Sequence, residues 1–157
     1  MHKITPFLWF DDKAEEAAAL YTSIFKNSKV GEVTRYGDAG PGPVGSVMSV
    51  TFQIEGQEFI AFNGGPHLTF TPAISLFVNC ESQAEVDELW EKLCEGGSEE
   101  MCGWLKDRFG LSWQIIPAGL VDMLYSQDAE KSRRAMNAML KMRKIDIAKV
   151  KQAFEQG

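Results

Sequence analysis

One apolar pattern, written twice, constrains this 157-residue chain more than any other feature. Residues 4–10 (ITPFLWF) are an apolar run of strand length, and Asp12 and Glu15 behind them stand at capping-box spacing. Ala14, Ala17, Ala18, Tyr21, Ile24 and Phe25 then recur on one helical face, which predicts a helix ending near Asn27. Residues 73–79 (AISLFVN) open the same order again. Ser82 and Glu85 form a second capping box, Val86, Leu89, Trp90 and Leu93 line a second helical face, and Gly96-Gly97 stops it. A shift of 69 residues lays Ala17, Leu20, Tyr21 and Ile24 on Val86, Leu89, Trp90 and Leu93. Strand-like segments follow each helix: 30–36, 46–54 and 57–63 in the first half, with a Glu55-Gly56 hairpin turn, and shorter ones at 100–106 and 111–116 in the second.

Neither half has enough apolar surface to stand alone. The expectation is an α+β domain over residues 1–118. Two βαβββ modules, 3–66 and 67–118, form a curved mixed sheet around a cleft with helices outside. From Leu120 the pattern is helical (120–126, 129–143, 146–155), so residues 119–157 read as an appendage and not an independent domain. Met136, Met139, Leu140 and Arg143 fall at i, i+3, i+4, i+7, with Ala135 and Met142 widening the stripe. Such a stripe is a packing face, and its methionines suit an adaptable subunit interface.

Net charge is −6, unevenly spread. Residues 129–157 carry eight basic and three acidic side chains, a net +5, against −11 for residues 1–128. An acidic chain repels a phosphate backbone, which argues against nucleic acid as a partner; the basic tail complements the acidic body, its own or a second subunit's. Cys80, Cys94 and Cys102 are odd in number without C-x-x-C spacing, so neither a disulfide framework nor a zinc site is expected. The N-terminus lacks a signal-peptide pattern and no apolar run approaches the ~20 residues of a membrane span, so a cytoplasmic protein without a membrane partner is expected.

Gly40-Pro-Gly-Pro-Val-Gly45 satisfies G-x-G-x-x-G, but its prolines remove N–H donors and a strand-like run follows instead of a helix. It reads as a loop, or a lid over a pocket. His67, in Asn63-Gly-Gly-Pro-His67, is a surface residue or a pocket residue held by the rigid loop. Alternation puts Trp104, Lys106 and Arg108 on one strand face, and Asp107-Arg-Phe-Gly110 turns into a last strand carrying Trp113 and Gln114. Aromatics beside a Lys, an Arg and a Gln suit a planar or anionic small molecule; core aromatics with surface cations are the plainer alternative.

The doubled pattern with its D-x-x-G turn resembles the vicinal oxygen chelate superfamily, which includes glyoxalase I, extradiol dioxygenases and bleomycin-resistance proteins. More narrowly, ITPFLWFDD, RYGDAGPG, FNGGPH, AISLFVNC and CGWLKDRFGLSWQIIP are similar to the PhnB-like branch, some of whose members are labelled demethylubiquinone 3-methyltransferase-like. The resemblance covers residues 3–150 and implies paired modules around a cleft, in a homodimer. In metal-dependent members four strands donate a His, a carboxylate, a His and a Glu. The matching positions here fall on Pro6, Ala61 to Asn63, Ala73 to Ser75, and Gln114. Proline and alanine side chains ligate nothing and glutamine is a weak neutral donor, so no metal and no other cofactor is expected. The methyltransferase label gains no support, because the Gly-rich segment does not lead from a strand into a helix.

The leading expectation is a metal-free binder that sequesters or senses an unidentified small molecule. Trp9, Asn63, Trp104, Lys106, Arg108, Trp113 and Gln114 line its cleft wall, and His67 adds a polar contact. Two alternatives stay open. One is an enzyme using His67 as acid/base on an enolisable or quinone-like substrate, with lyase, isomerase or oxygenase-like chemistry favoured over methyl transfer. The other is an interaction module acting through the Met-rich basic tail.

Overall fold

A computed structural model describes residues 2–156. The chain forms two compact units that divide after Phe70. The first contains β1 (Phe7–Phe10), α1 (Ala14–Ile24), β2 (Lys29–Arg35), β3 (Val47–Ile54) and β4 (Gln57–Asn63). The second repeats the order as β5 (Ser75–Cys80), α2 (Gln83–Cys94), β6 (Ser98–Glu99), β7 (Trp104–Lys106) and β8 (Ser112–Pro117). It continues into α3 (Leu120–Leu124), α4 (Ala129–Met139) and α5 (Ile147–Glu155). Hydrogen bonding gives each module its own four-stranded mixed sheet, ordered β1-β4-β3-β2 and β5-β8-β7-β6. The two orders are identical once shifted by four strands, so the repeat read in the helices extends to the sheets. In each, the first strand lies parallel to the last and the rest are antiparallel. No helix is long and apolar enough to cross a membrane among the described residues.

One helix covers one face of each sheet. In module one Leu8, Phe10, Val50, Phe52, Phe59 and Ala61 are buried together with Ala14, Ala17, Ala18 and Tyr21 of α1. Alanines bring this helix close to the strands, and Tyr21 supplies the bulk, its ring 6.0 Å from that of Phe52. In module two Val86, Leu89, Trp90 and Leu93 of α2 are buried with Leu105, Trp113 and Ile115.

The helix starts differ from one another. At α2 the expected cap forms: Ser82 Oγ accepts from the Glu85 N–H at 3.1 Å. At α1 the expected Asp12–Glu15 box does not. The helix begins at Ala14, its capping residue is Lys13 without a side-chain bond, and the Ala14 N–H donates to Asn63 Oδ1 from β4 at 2.8 Å. A cap borrowed from another strand does the work of a local one, and it ties the helix to its sheet.

The Gly-rich segment is a loop between β2 and β3, wrapped on Tyr36. A Cβ on Gly40 or Gly42 would stand 2.6 or 2.4 Å from the Tyr36 ring, and the Tyr36 hydroxyl donates to the Asn63 carbonyl. Glycine is required here for close packing against that ring.

The D-x-x-G turn between β7 and β8 centres on Asp107, which is 2% exposed. Its Oδ1 accepts from the Phe109 and Leu111 N–H groups at 2.9 and 3.1 Å, and its Oδ2 accepts from the Trp113 indole at 2.9 Å. Gly110, at φ +87°, closes the turn through its N–H to the Asp107 carbonyl.

The appendage packs on module two. Ile116, Leu120, Ala135, Ile145 and Val150 are buried together, with Met123, Met139, Met142 and Phe154 around them. Of the methionine stripe, Ala135, Met139 and Met142 pack here, while Leu140 and Arg143 are exposed. Helix α4 stops at Met139 instead of running to 143, and Leu140 behind it is exposed.

Asp107→Asn keeps the shape of the side chain but turns an amide N–H₂ toward either the indole N–H or the two backbone donors. An order-of-magnitude loss of about 2–4 kcal/mol is expected, read as a lower urea midpoint with an unchanged m-value.

Candidate functional site

Each sheet has a face turned away from its helix, and the strands' alternation decides which side chains reach it. In module one that face carries Phe7 and Trp9, in register with Ile60 and Phe62 of β4. Trp9 meets the Phe62 ring edge-on at 5.1 Å, and Phe7 leans on the same ring at 5.1 Å. The Trp9 indole N–H donates to the Gly65 carbonyl at 2.9 Å, which fixes the ring. A Cβ on Gly64 would lie 2.3 Å from Trp9 Cζ2, so this glycine is what lets the chain pass beneath the indole.

Asn63 is set apart from this group. Its Oδ1 caps α1, its Nδ2 donates to the Val47 carbonyl at 3.2 Å, and its own carbonyl accepts from Tyr36. Both polar ends of the side chain are engaged in joining helix, sheet and loop. His67 is exposed in the turn after Gly64-Gly65-Pro66. Its imidazole makes no hydrogen bond among the described residues.

In module two the corresponding face is built from two cross-strand rows. Phe77, Gln114 and Trp104 stand side by side on β5, β8 and β7, and Ser75, Ser112 and Lys106 form the next row. Gln114 Nε2 donates to Ser75 Oγ at 3.0 Å, linking the rows. Lys106 Nζ lies 3.9 Å from the Glu100 carboxylate, a loose half-exposed ion pair that leaves the ammonium available. The Ser112 hydroxyl is buried with no hydrogen-bond partner among the described residues.

The alternation that brings Trp104, Lys106 and Gln114 together sends Trp113 to the opposite face. There it is 1% exposed in the helix-side core, with its N–H on Asp107. Arg108 is exposed in the Asp107–Gly110 turn, its Cβ beside Gly96. Phe7, Phe62, Ser75, Phe77 and Ser112 share the helix-free faces without having been singled out from the sequence. Alternation marks them, but only the parallel register of β1 with β4 and β5 with β8 shows which neighbours they have.

Module two also has an acidic hollow between α2, β6 and the segment before α5, lined by Asp87, Trp90, Glu91, Cys94, Glu95, Glu99 and Lys144. Lys144 Nζ sits 2.8 Å from Asp87 Oδ1, and hydrogen bonds from Lys144 and Gln83 hold the Asp87 carboxyl below its ordinary range. Burial, reinforced by the Glu99 charge, pushes the Cys94 thiol up to about 11. Burial and the neighbouring Glu85 carboxylate push Cys80 up to about 12. These thiols are poor nucleophiles at neutral pH. Among the described residues no three His, Cys, Asp or Glu side chains converge as a metal-binding group.

The 3-demethylubiquinone-9 3-methyltransferase family model matches residues 2–116. The chain belongs to that family. It is PhnB-like, since a solved PhnB protein is among its relatives. The PhnB protein of Bacillus cereus, which carries the same methyltransferase name, is similar at 42% identity with a TM-score of 0.69. That match takes in 74% of this chain and 100% of the other. A protein from Pseudomonas aeruginosa shares the fold at 24% identity and a TM-score of 0.61, over 74% of this chain and 98% of its own. Comparison with curated proteins gives no match. The family match ends at residue 116, so α3–α5 of this PhnB-like chain lie outside it.

The raised thiols make stability fall at alkaline pH. Well below pH 9 both Cys80 and Cys94 are protonated in folded and unfolded chains alike. Above the ordinary value of 9.0 the unfolded chain gives up these protons first, and the folded state loses ground up to about 11 for Cys94 and about 12 for Cys80. Urea midpoints between pH 8 and 10.5 are expected to drop, and to drop less in Cys80→Ala measured against its own value at pH 8.

Proposed function

We propose that this PhnB-like protein binds a small planar molecule bearing a negative charge, on the sheet faces that the helices leave uncovered, and sequesters or senses it as a homodimer. The observation that carries this reading is the pair of rows in module two. Trp104 and Phe77 offer flat apolar surface on either side of the Gln114 amide, and the Lys106 ammonium stands one row away. An aromatic ring laid along the first row brings an attached carboxylate or enolate toward the cation, where attraction and ring contact add. Trp9, Phe7 and Phe62 supply a second aromatic face in module one.

Direct recognition by side chains, without a metal, fits the donors present. The positions matching the superfamily's ligands are Pro6, Ala61 to Asn63, Ala73 to Ser75, and Gln114; Asn63 and Gln114 are already hydrogen-bonded within their own modules. This donor set is neutral and does not fit a divalent cation. Methyl transfer, which the family's name describes, draws no support from the Gly-rich segment, whose glycines pack on Tyr36 and which leads from β2 into β3. Among the described residues the His67 imidazole has no hydrogen-bond partner to orient it for an acid/base role. The Met-rich tail is engaged on its own module, which weakens the reading that it is the working surface.

Calorimetric titration with 2-naphthoate, compared with uncharged 2-naphthalenemethanol, tests the proposal. The carboxylate is expected to bind more tightly. Trp104→Ala and Lys106→Ala should each weaken it about tenfold, roughly 1.4 kcal/mol. Equal affinity for the two compounds, or binding that survives both substitutions, would overturn it.

A further inference from the structure

The β6–β7 hairpin that presents Trp104 and Lys106 is too short to hold itself. Its strands are two and three residues long and pair at only two positions, Ser98 with Lys106 and Glu99 with Leu105. So small a hairpin edge is marginal on its own. Its tip is strained as well: Cys102 sits at φ +61°, in the left-handed region, ahead of Gly103 at φ +82°.

The connection between α4 and α5 makes good the deficit. The Met142 and Arg143 carbonyls accept the N–H groups of Cys102 and Gly103, both at 2.8 Å, so an outside segment satisfies the tip's backbone donors. Ile145, fully buried, packs so closely that a Cβ on Gly103 would stand 3.0 Å from its Cγ1. The connection is itself held by one side chain. Gln83, at the start of α2, donates from Nε2 to the Ile145 carbonyl at 2.9 Å and accepts from the Ile147 N–H at Oε1, also at 2.9 Å. This amide pairs with the segment as a neighbouring strand would. The Lys144–Asp87 bridge, exposed and weaker, lies one residue before them.

We infer that Gln83 is a positioning residue. Through residues 142–147 it clamps the tip of the β6–β7 hairpin, and so sets where Trp104 and Lys106 stand on the sheet face. The ligand-contacting edge of module two is thereby under the control of helices that lie outside the family match. The inference rests on the binding reading above for its functional consequence, and on the backbone contacts alone for the clamp.

Two measurements on full-length Gln83→Ala, with Gln83→Glu beside it, separate these parts. In hydrogen exchange by mass spectrometry, peptides spanning 98–106 should exchange about tenfold faster in Gln83→Ala, with those spanning 47–63 unchanged. Gln83→Glu sets a carboxylate oxygen against the Ile145 carbonyl and Asp87 Oδ1 in place of the donor, so it should exchange at least as fast as Gln83→Ala. Affinity for 2-naphthoate should drop severalfold in the same order. Unchanged exchange at 98–106 would overturn the clamp. Faster exchange with unchanged 2-naphthoate affinity would leave Gln83 a stabiliser only and overturn its positioning role. If wild type itself fails to bind 2-naphthoate while exchange responds as expected, the binding reading falls and the clamp stands.

Discussion

Each module has a single long helix to cover a four-stranded sheet, and the rest of the structure follows from that shortage. The helix buries one face, so the strands beneath it turn Leu8, Phe10, Val50 and Phe52 inward in one module and Leu105, Trp113 and Ile115 inward in the other. The opposite face is then built of whatever the intervening positions hold. Where those positions carry Trp9 and Phe62, or Trp104, Lys106 and Gln114, a chemically distinctive surface results. A one-residue slip on β8 would exchange Trp113 for Gln114 and bury the amide in the core. Register is therefore the property the module has to protect.

Buried polar groups do that protecting. Asp107 is a fully engaged carboxylate at the one turn where β7 must hand over to β8, and its bond to the Trp113 indole admits one alignment only. Asn63 has the matching task in module one, spanning the start of α1, the end of β4 and the Val47 carbonyl. Each contributes on the order of 1–3 kcal/mol if judged by what its loss would leave unsatisfied. Their larger effect is selective, because a slipped sheet would strand several buried donors at once.

The sequence shows the fold more clearly than the site, for a physical reason. Periodicity reports which face of an element is apolar, and the doubled helical face at a 69-residue shift was sufficient to anticipate the two modules, as Asp107-Arg-Phe-Gly110 was for the turn. Periodicity says nothing about which long-range group satisfies a backbone donor. Asp12 and Glu15 have the spacing of a cap, yet Asn63, 49 positions beyond Ala14, takes that N–H. The same gap separates Trp113 from Trp104. Both read as aromatic residues near cations, and only the alternation carried through the Asp107 turn sends one into the core and leaves the other on the helix-free face. The methionine stripe was legible as a packing face, and Ala135, Met139 and Met142 from it pack with Ile116, Ile145 and Val150 of the same unit.

The C-terminal helices show how an addition to a family fold can become integral to it. The family match stops at residue 116, and β6 is only two residues long. A hairpin that short leaves backbone donors at its tip in need of acceptors, which solvent could supply without fixing geometry. Carbonyls from 142 and 143 supply them with geometry, because Ile145 is buried beside Gly103 and Gln83 holds the chain at Ile145 and Ile147. Position at the tip is passed along three residues of β7, from Gly103, whose carbonyl accepts from Ile115, to Lys106. A short strand pinned at both ends, by the appendage at one and by Asp107 at the other, is stiffer than its length would allow. That stiffness would keep Trp104 and Lys106 at a fixed spacing, as the proposed recognition of a rigid planar molecule requires.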